Sequence, residues 1–173
     1  NYRGRSTCGR AVTRPAQPPS PLPFQQVARQ SVRSVDGGLH WKVQFHDQFN
    51  PALPNSWIRD MVFPHDNSNG FAVDRDRVLH TTDGGSSWSV LFTLPDGDMT
   101  NIKAFTNQEM IVYSTRNPAC PILHTTDGGQ NWQALKHPDN NGINALDFLN
   151  TSIGWILGQG AGEVYKTNDG GSS

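Results

Sequence analysis

Residues 81–88 read Thr81-Thr82-Asp83-Gly84-Gly85-Ser86-Ser87-Trp88, and residues 125–132 read Thr125-Thr126-Asp127-Gly128-Gly129-Gln130-Asn131-Trp132. An earlier copy runs Ser34-Val35-Asp36-Gly37-Gly38-Leu39-His40-Trp41. A fourth starts at Thr167-Asn168-Asp169-Gly170-Gly171-Ser172-Ser173 and stops where a tryptophan is due. The aspartates stand 47, 44 and 42 residues apart. Four copies of one pattern at a near-constant period mark a repeat protein. Each copy has the chemistry of a tight turn between two strands. A short carboxylate accepts hydrogen bonds from backbone N–H groups two or three residues on. The glycine pair supplies positive φ without steric cost. The Ser or Thr two residues before the Asp adds a hydroxyl at the strand end, and the Trp opens the return strand with a large apolar ring across the hairpin base.

Working outward from the boxes, short strand signals recur in a fixed order. Lys42 to Phe45 alternates as a returning strand, Trp57 to Phe63 leads into a turn from Pro64 to Gly70, and Phe71 to Val73 and Arg77 to Thr81 follow. The next unit gives Ser89 to Leu94, Asn101 to Phe105, Met110 to Ser114 and Ile122 to Thr125; the last gives Gln133 to Leu135, Ile143 to Phe148, Trp155 to Leu157 and Val164 to Thr167. Four short strands per repeat of this length is the period of a β-propeller blade. The expected fold is all-β: about three four-stranded blades over residues 31–173, behind a Pro- and Arg-rich tail over residues 1–30.

Composition agrees with that reading and excludes others. The 173 residues include 17 Gly and 12 Pro, with 35% apolar and 17% charged residues, a turn-rich mixture poorly suited to a helix bundle. Mean hydropathy is −0.57 and no apolar run approaches the ~18 residues of a membrane span. The net charge of −1 hides an asymmetry. Arg3, Arg5, Arg10, Arg14, Arg29 and Arg33 lie in an acid-free leader, so the remainder is acidic and offers no basic face for nucleic acid. Of the 15 acids only Glu109 and Glu163 are Glu, and the aspartate bias again favours turns. Pro15, Pro18, Pro19, Pro21 and Pro23 make the leader read as unfolded. Its Arg and Ser content fits either a linker or an organellar transit peptide. An extracytoplasmic or organellar location is expected, and the chain reads as cut at both ends. Cys8 and Cys120 lack the spacing of a zinc site, and their pairing with each other is open.

The boxes resemble the Asp-box (BNR) repeat, Ser/Thr-x-Asp-x-Gly-x-Ser/Thr-Trp, over residues 34–173. The first copy has His40 and the third Asn131 where Ser or Thr is usual; the turn-forming residues are intact. In that family the box joins the third and fourth strands of a blade, away from the central channel. The stretch Ile153-Gly154-Trp155-Ile156-Leu157-Gly158-Gln159-Gly160, continued by Gly162-Glu163-Val164-Tyr165-Lys166-Thr167-Asn168-Asp169-Gly170-Gly171, resembles the rhythm of photosystem II assembly and stability factors. That resemblance implies a non-catalytic scaffold that binds partner polypeptides. Asn69-Gly70-Phe71-Ala72-Val73 is a degenerate version of the same rhythm. Xyloglucanase-type glycosidases and sortilin-like receptors share it less often.

The box residues Ser34, Asp36, Gly38, Trp41, Thr81, Asp83, Gly85, Trp88, Thr125, Asp127, Gly129, Trp132, Thr167, Asp169 and Gly171 are read as structural. Arg33, His80, His124 and Lys166 each stand three residues before a boxed Asp. They read as solvated strand-edge positions, or as a rim for an anionic partner. Asp74 and Asp76, alternating with Arg75 and Arg77, read as a solvated charge ladder and alternatively as glycosidase carboxylates. Asp96 and Asp98 around Gly97 read as a turn before calcium ligands. Trp57 and Trp155 read as core packing before sugar stacking. Arg59, Arg75, Arg77, Arg116, Tyr113 and Tyr165 supply the residue types of a sialidase without its Arg-Ile-Pro segment. No catalytic residue, cofactor or metal is assigned. The expected function is a propeller module docking protein or carbohydrate, with self-association through an open blade edge; the alternative is a fragment of an Asp-box glycoside hydrolase.

Overall fold

The computed structural model describes residues 29–47, 58–137, 141–160 and 162–172. Most of the leader therefore lies outside the described residues, as do Cys8 and Trp57. The described residues are all-β, in thirteen strands: β1 Arg29–Arg33, β2 Lys42–Asp47, β3 Asp60–Val62, β4 Gly70–Val73, β5 Arg77–Thr81, β6 Ser89–Thr93, β7 Asn101–Ala104, β8 Met110–Tyr113, β9 Ile122–Thr125, β10 Gln133–Leu135, β11 Ile143–Phe148, β12 Gly154–Gly158 and β13 Val164–Thr167. β1 was not singled out in the sequence; it begins at Arg29, inside the stretch read as tail.

All pairings are antiparallel between chain neighbours, which short hairpins enforce. β1 pairs with β2; β3-β4-β5-β6 and β7-β8-β9-β10 are four-stranded sheets, and β11-β12-β13 is three-stranded. Each sheet is one blade of a propeller. A blade ends with the strand after the box, so β2 pairs back to β1. The sheet units are therefore offset by one strand from the units counted box to box.

The core lies between successive sheets. Phe71, Val73 and Val78 of the second sheet meet Met99, Ile102, Met110, Val112 and Leu123 from the third sheet and the segment entering it. Ile111, Tyr113 and Ile122 on the other face of the third sheet meet Ile143, Leu146 and Phe148 of the fourth. The middle strands β4 and β8 are buried at every position, since both faces of a blade are covered by neighbours. Polar ties reinforce these seams. Asp60 Oδ2 accepts from Ile102 N at 3.0 Å, the Tyr113 hydroxyl donates to Leu146 O at 3.3 Å, and Lys103 pairs with Asp147.

Candidate functional site

The four boxes share one hydrogen-bond scheme. In the second, the Thr81 hydroxyl donates to Asp83 Oδ1 at 2.8 Å and accepts from Gly85 N at 2.9 Å, and Ser87 N donates to Asp83 Oδ1 at 2.8 Å. The third repeats this with Thr125, Asp127, Gly129 and Asn131, and the first with Ser34, Asp36, Gly38 and His40. In the fourth, Thr167 and Asp169 pair at 2.7 Å and Gly171 N donates to the Thr167 hydroxyl. The second carboxylate oxygen has a partner at the variable seventh position: the Ser87 hydroxyl at 2.6 Å, the Asn131 amide at 2.7 Å and the His40 imidazole at 2.6 Å. Three different side chains thus present one donor at one place. These bonds favour the ionised form and hold the carboxyls of Asp36, Asp83 and Asp127 down at about 2. The largest contribution comes from the His40 backbone at Asp36, the Ser87 side chain at Asp83 and the Asn131 backbone at Asp127.

A second tie was not read in the sequence. The first box glycine donates its N–H across the blade to the turn between first and second strands: Gly84 to Ser68 O, Gly128 to Gln108 O and Gly170 to Ser152 O, at 2.8–2.9 Å. Each receiving turn is closed by a side-chain oxygen, from Asp66, Thr106 or Asn150, that accepts from the two N–H groups at positions two and three beyond it. A polar residue two places before each acceptor is the signal that could have revealed it.

Trp88 stands edge-on to Phe63, with centroids 6.3 Å apart, and Trp132 packs on Phe92 at 5.2 Å. Trp41 differs from the expectation of blade packing. It is 62% exposed, its ring lying beside Gly38, because no second face closes on it among the described residues. Trp155 is likewise not core: it is 37% exposed, with Lys166 Nζ 5.8 Å from its ring.

Arg33, His80, His124 and Lys166 lie on β1, β5, β9 and β13, the strands that lead into the boxes of four successive sheets. Three are engaged within their own sheet. His80 stacks on Phe71 at 4.8 Å, and burial lowers its pKa; His124 Nε2 is 3.1 Å from Glu109 Oε1; Lys166 lies over Trp155. Arg33 reaches from the first sheet to the Gly84 backbone of the second. The fold brings the four to equivalent register but not to one cluster.

Asp74 corrects the solvated ladder. It is 2% exposed and closes the β4–β5 turn, accepting from Arg77 N at 2.9 Å and pairing with the Arg77 guanidinium. Asp96 and Asp98 hold positive φ, 58° and 52°, and Asp98 meets Arg59 at 2.7 Å. The Tyr165 hydroxyl donates to Glu163, so tyrosines and arginines sit in separate local contacts rather than a shared pocket. Among the described residues no three His, Cys, Asp or Glu side chains converge on a metal position. Burial pushes the Cys120 thiol up to about 11, which keeps it protonated. No helix among the described residues is long and apolar enough to cross a membrane.

A groove of about 400 Å³ opens between the third and fourth sheets, floored by Ile122, Leu135, Leu146 and Ile156 and edged by Lys136 and Lys166.

Sheets built as repeated four-stranded meanders, each carrying the boxed hairpin between its third and fourth strands, define an Asp-box β-propeller. Residues 48–173 match the family model described as photosynthesis system II assembly factor YCF48, and the chain belongs to that family. Comparison with curated proteins found no match. Similar solved structures include one described as YCF48 bound to D1 peptide, 24% identical, TM-score 0.58, covering 79% of this chain and 44% of that one. YCF48 from Cyanidioschyzon merolae is 25% identical, TM-score 0.55, with coverages of 69% and 36%. The GH74 xyloglucanase from Xanthomonas campestris is 19% identical, TM-score 0.54, with coverages of 82% and 21%, a likeness of fold alone. The chain spans less than half the length of each of these structures.

Proposed function

We propose that this chain is a non-catalytic propeller module that docks a partner polypeptide during photosystem II assembly. The family match across residues 48–173 carries the reading. The structure described as YCF48 bound to D1 peptide supports a polypeptide partner, and D1 is the candidate partner taken to this chain. The glycosidase alternative gains nothing from the carboxylates that suggested it, because Asp74 is spent on Arg77 and the β4–β5 turn. The test is binding of a D1 peptide to the immobilised chain, beside an assay of sugar release from xyloglucan. Saturable binding with no sugar release is the expected result. Xyloglucan cleavage without D1-peptide binding overturns the proposal.

A further inference from the structure

Of the strands that follow a box, β6 is set apart by its edge. It closes a complete four-stranded sheet, β3-β4-β5-β6, and no strand pairs with its outer side among the described residues. The fourth strand of a blade lies on the circumference of a propeller, so this edge is the same whatever the number of blades. Exposed edges are ordinarily blunted by brevity, charge or proline, because their unpaired N–H and C=O groups invite another strand. β2 carries Lys42, His46 and Asp47, and β10 has three residues followed by Lys136, His137 and Pro138. β6 reads Ser89-Val90-Leu91-Phe92-Thr93, and the whole run 84–94 holds neither charge nor proline.

The sheet register shows what stays outside. Val78 pairs with Phe92 and Leu79 with Val90, so Leu91 is an inserted residue, a bulge. It turns two successive apolar residues inward, Leu91 against Gly129 and Phe92 onto Trp132. Val90 is left outside, 53% exposed. The bulge is the one protective device that β6 keeps; it twists an edge and leaves its donors and acceptors in place.

We infer that the β6 edge is a pairing surface for a second copy of this chain, β6 meeting β6 antiparallel about a two-fold axis at Val90. An antiparallel strand is its own complement under such an axis, which makes the contact isologous. The axis sets the two Val90 side chains directly opposite each other, a β-branched cross-strand pair. Positions 86–94 then face one another with no charge on either strand. Outside its leader the chain is acidic and repels its own copy, so an uncharged strip on the circumference is where two copies approach at least cost. The surface is separate from the D1 reading and is tested without any peptide.

The test is sedimentation velocity of the full 173-residue chain over a concentration series, with amide hydrogen exchange at the lowest and highest concentrations. The expected result is a reversible monomer–dimer equilibrium, with exchange across Ser89–Thr93 slowed at the high concentration only. Val90→Lys sets two ammonium groups opposite each other and weakens the dimer by about tenfold. Val90→Thr, β-branched like the parent, keeps it within severalfold. Val164→Lys, on the exposed strand β13, leaves the equilibrium unchanged. If V90K melts early, the concentration-dependent protection of β6 in the parent chain decides. A monomer at every concentration, a dimer indifferent to V90K, loss of the dimer in V164K, or protection confined to other strands overturns the proposal. Slow β6 exchange at both concentrations assigns the edge to a segment of the same chain, and also overturns it.

Discussion

Asp83 uses both carboxylate oxygens, one on the Ser87 backbone and Thr81 hydroxyl, the other on the Ser87 hydroxyl. The box was legible residue by residue because its turn chemistry is local. What the sequence hid was the equivalence of His40, Ser87 and Asn131, which look unlike but donate to the same oxygen. Asp83→Ala and Asp127→Ala are expected to lower the melting temperature, and Ser87→Asn to be tolerated because Asn131 already does that task. The carboxyls also make stability depend on pH. Their folded values near 2 lie below the ordinary 3.8, so folding favours the ionised form. Their stabilisation is complete above about pH 4 and is lost as the pH falls towards 2. A melt series across that interval should show the decline in the parent and a shallower one in the double Ala variant.

Strand signals in the second to fourth blades were legible because alternation is broken by unmistakable turns: β5, β9, β10, β11 and β13 begin and end where the sequence pattern places them. β1 was hidden by its setting, a short polar run after a proline-rich stretch, whose pairing becomes evident only beside β2. Interior glycines gain meaning at this scale too. A Cβ on Gly154 would lie 2.5 Å from the Phe148 ring, and one on Gly70 would lie 2.4 Å from Phe63. The two first strands thus fold an aromatic ring over the start of the second strand. Phe148 is buried between sheets and meets Phe105 edge-on, so Phe148→Ala should cost about 3–5 kcal/mol in denaturant unfolding. Trp132→Ala should cost several times more than Trp41→Ala, since the exposed Trp41 ring leaves little to lose. Equal costs would mean that Trp41 has a partner beyond the described residues.

At the scale of the whole molecule, blades are joined mainly by apolar seams, and a few polar bonds fix how the sheets meet. Asp60 is the clearest: it leaves β3 to accept from Ile102 N on β7 of the next blade. Asp60→Ala strands a buried N–H and should cost about 1–3 kcal/mol, with faster exchange of the Ile102 amide. If exchange there is unchanged, the bond does not form in solution. None of this was legible in the sequence, because seam contacts join residues about 40 apart with no local pattern. The groove by β13 was hidden for the same reason, and so were the local contacts that His80, His124 and Lys166 each make within their own blade.

The bond from the first box glycine to its turn carbonyl also bears on how the protein ages. An aspartate followed by glycine is prone to cyclise, the glycine nitrogen attacking the side-chain carboxyl to give a succinimide and then isoaspartate. Gly84, Gly128 and Gly170 have that nitrogen committed to a carbonyl across the blade. A Cβ at Gly84 or Gly170 would press on a turn carbonyl, whereas the same position at Gly37 meets nothing within 4 Å among the described residues. Among the boxed aspartates, isoaspartate formation on prolonged storage should therefore gather at Asp36 and spare Asp83 and Asp127, and peptide mapping of an aged sample by mass spectrometry would reveal the distribution.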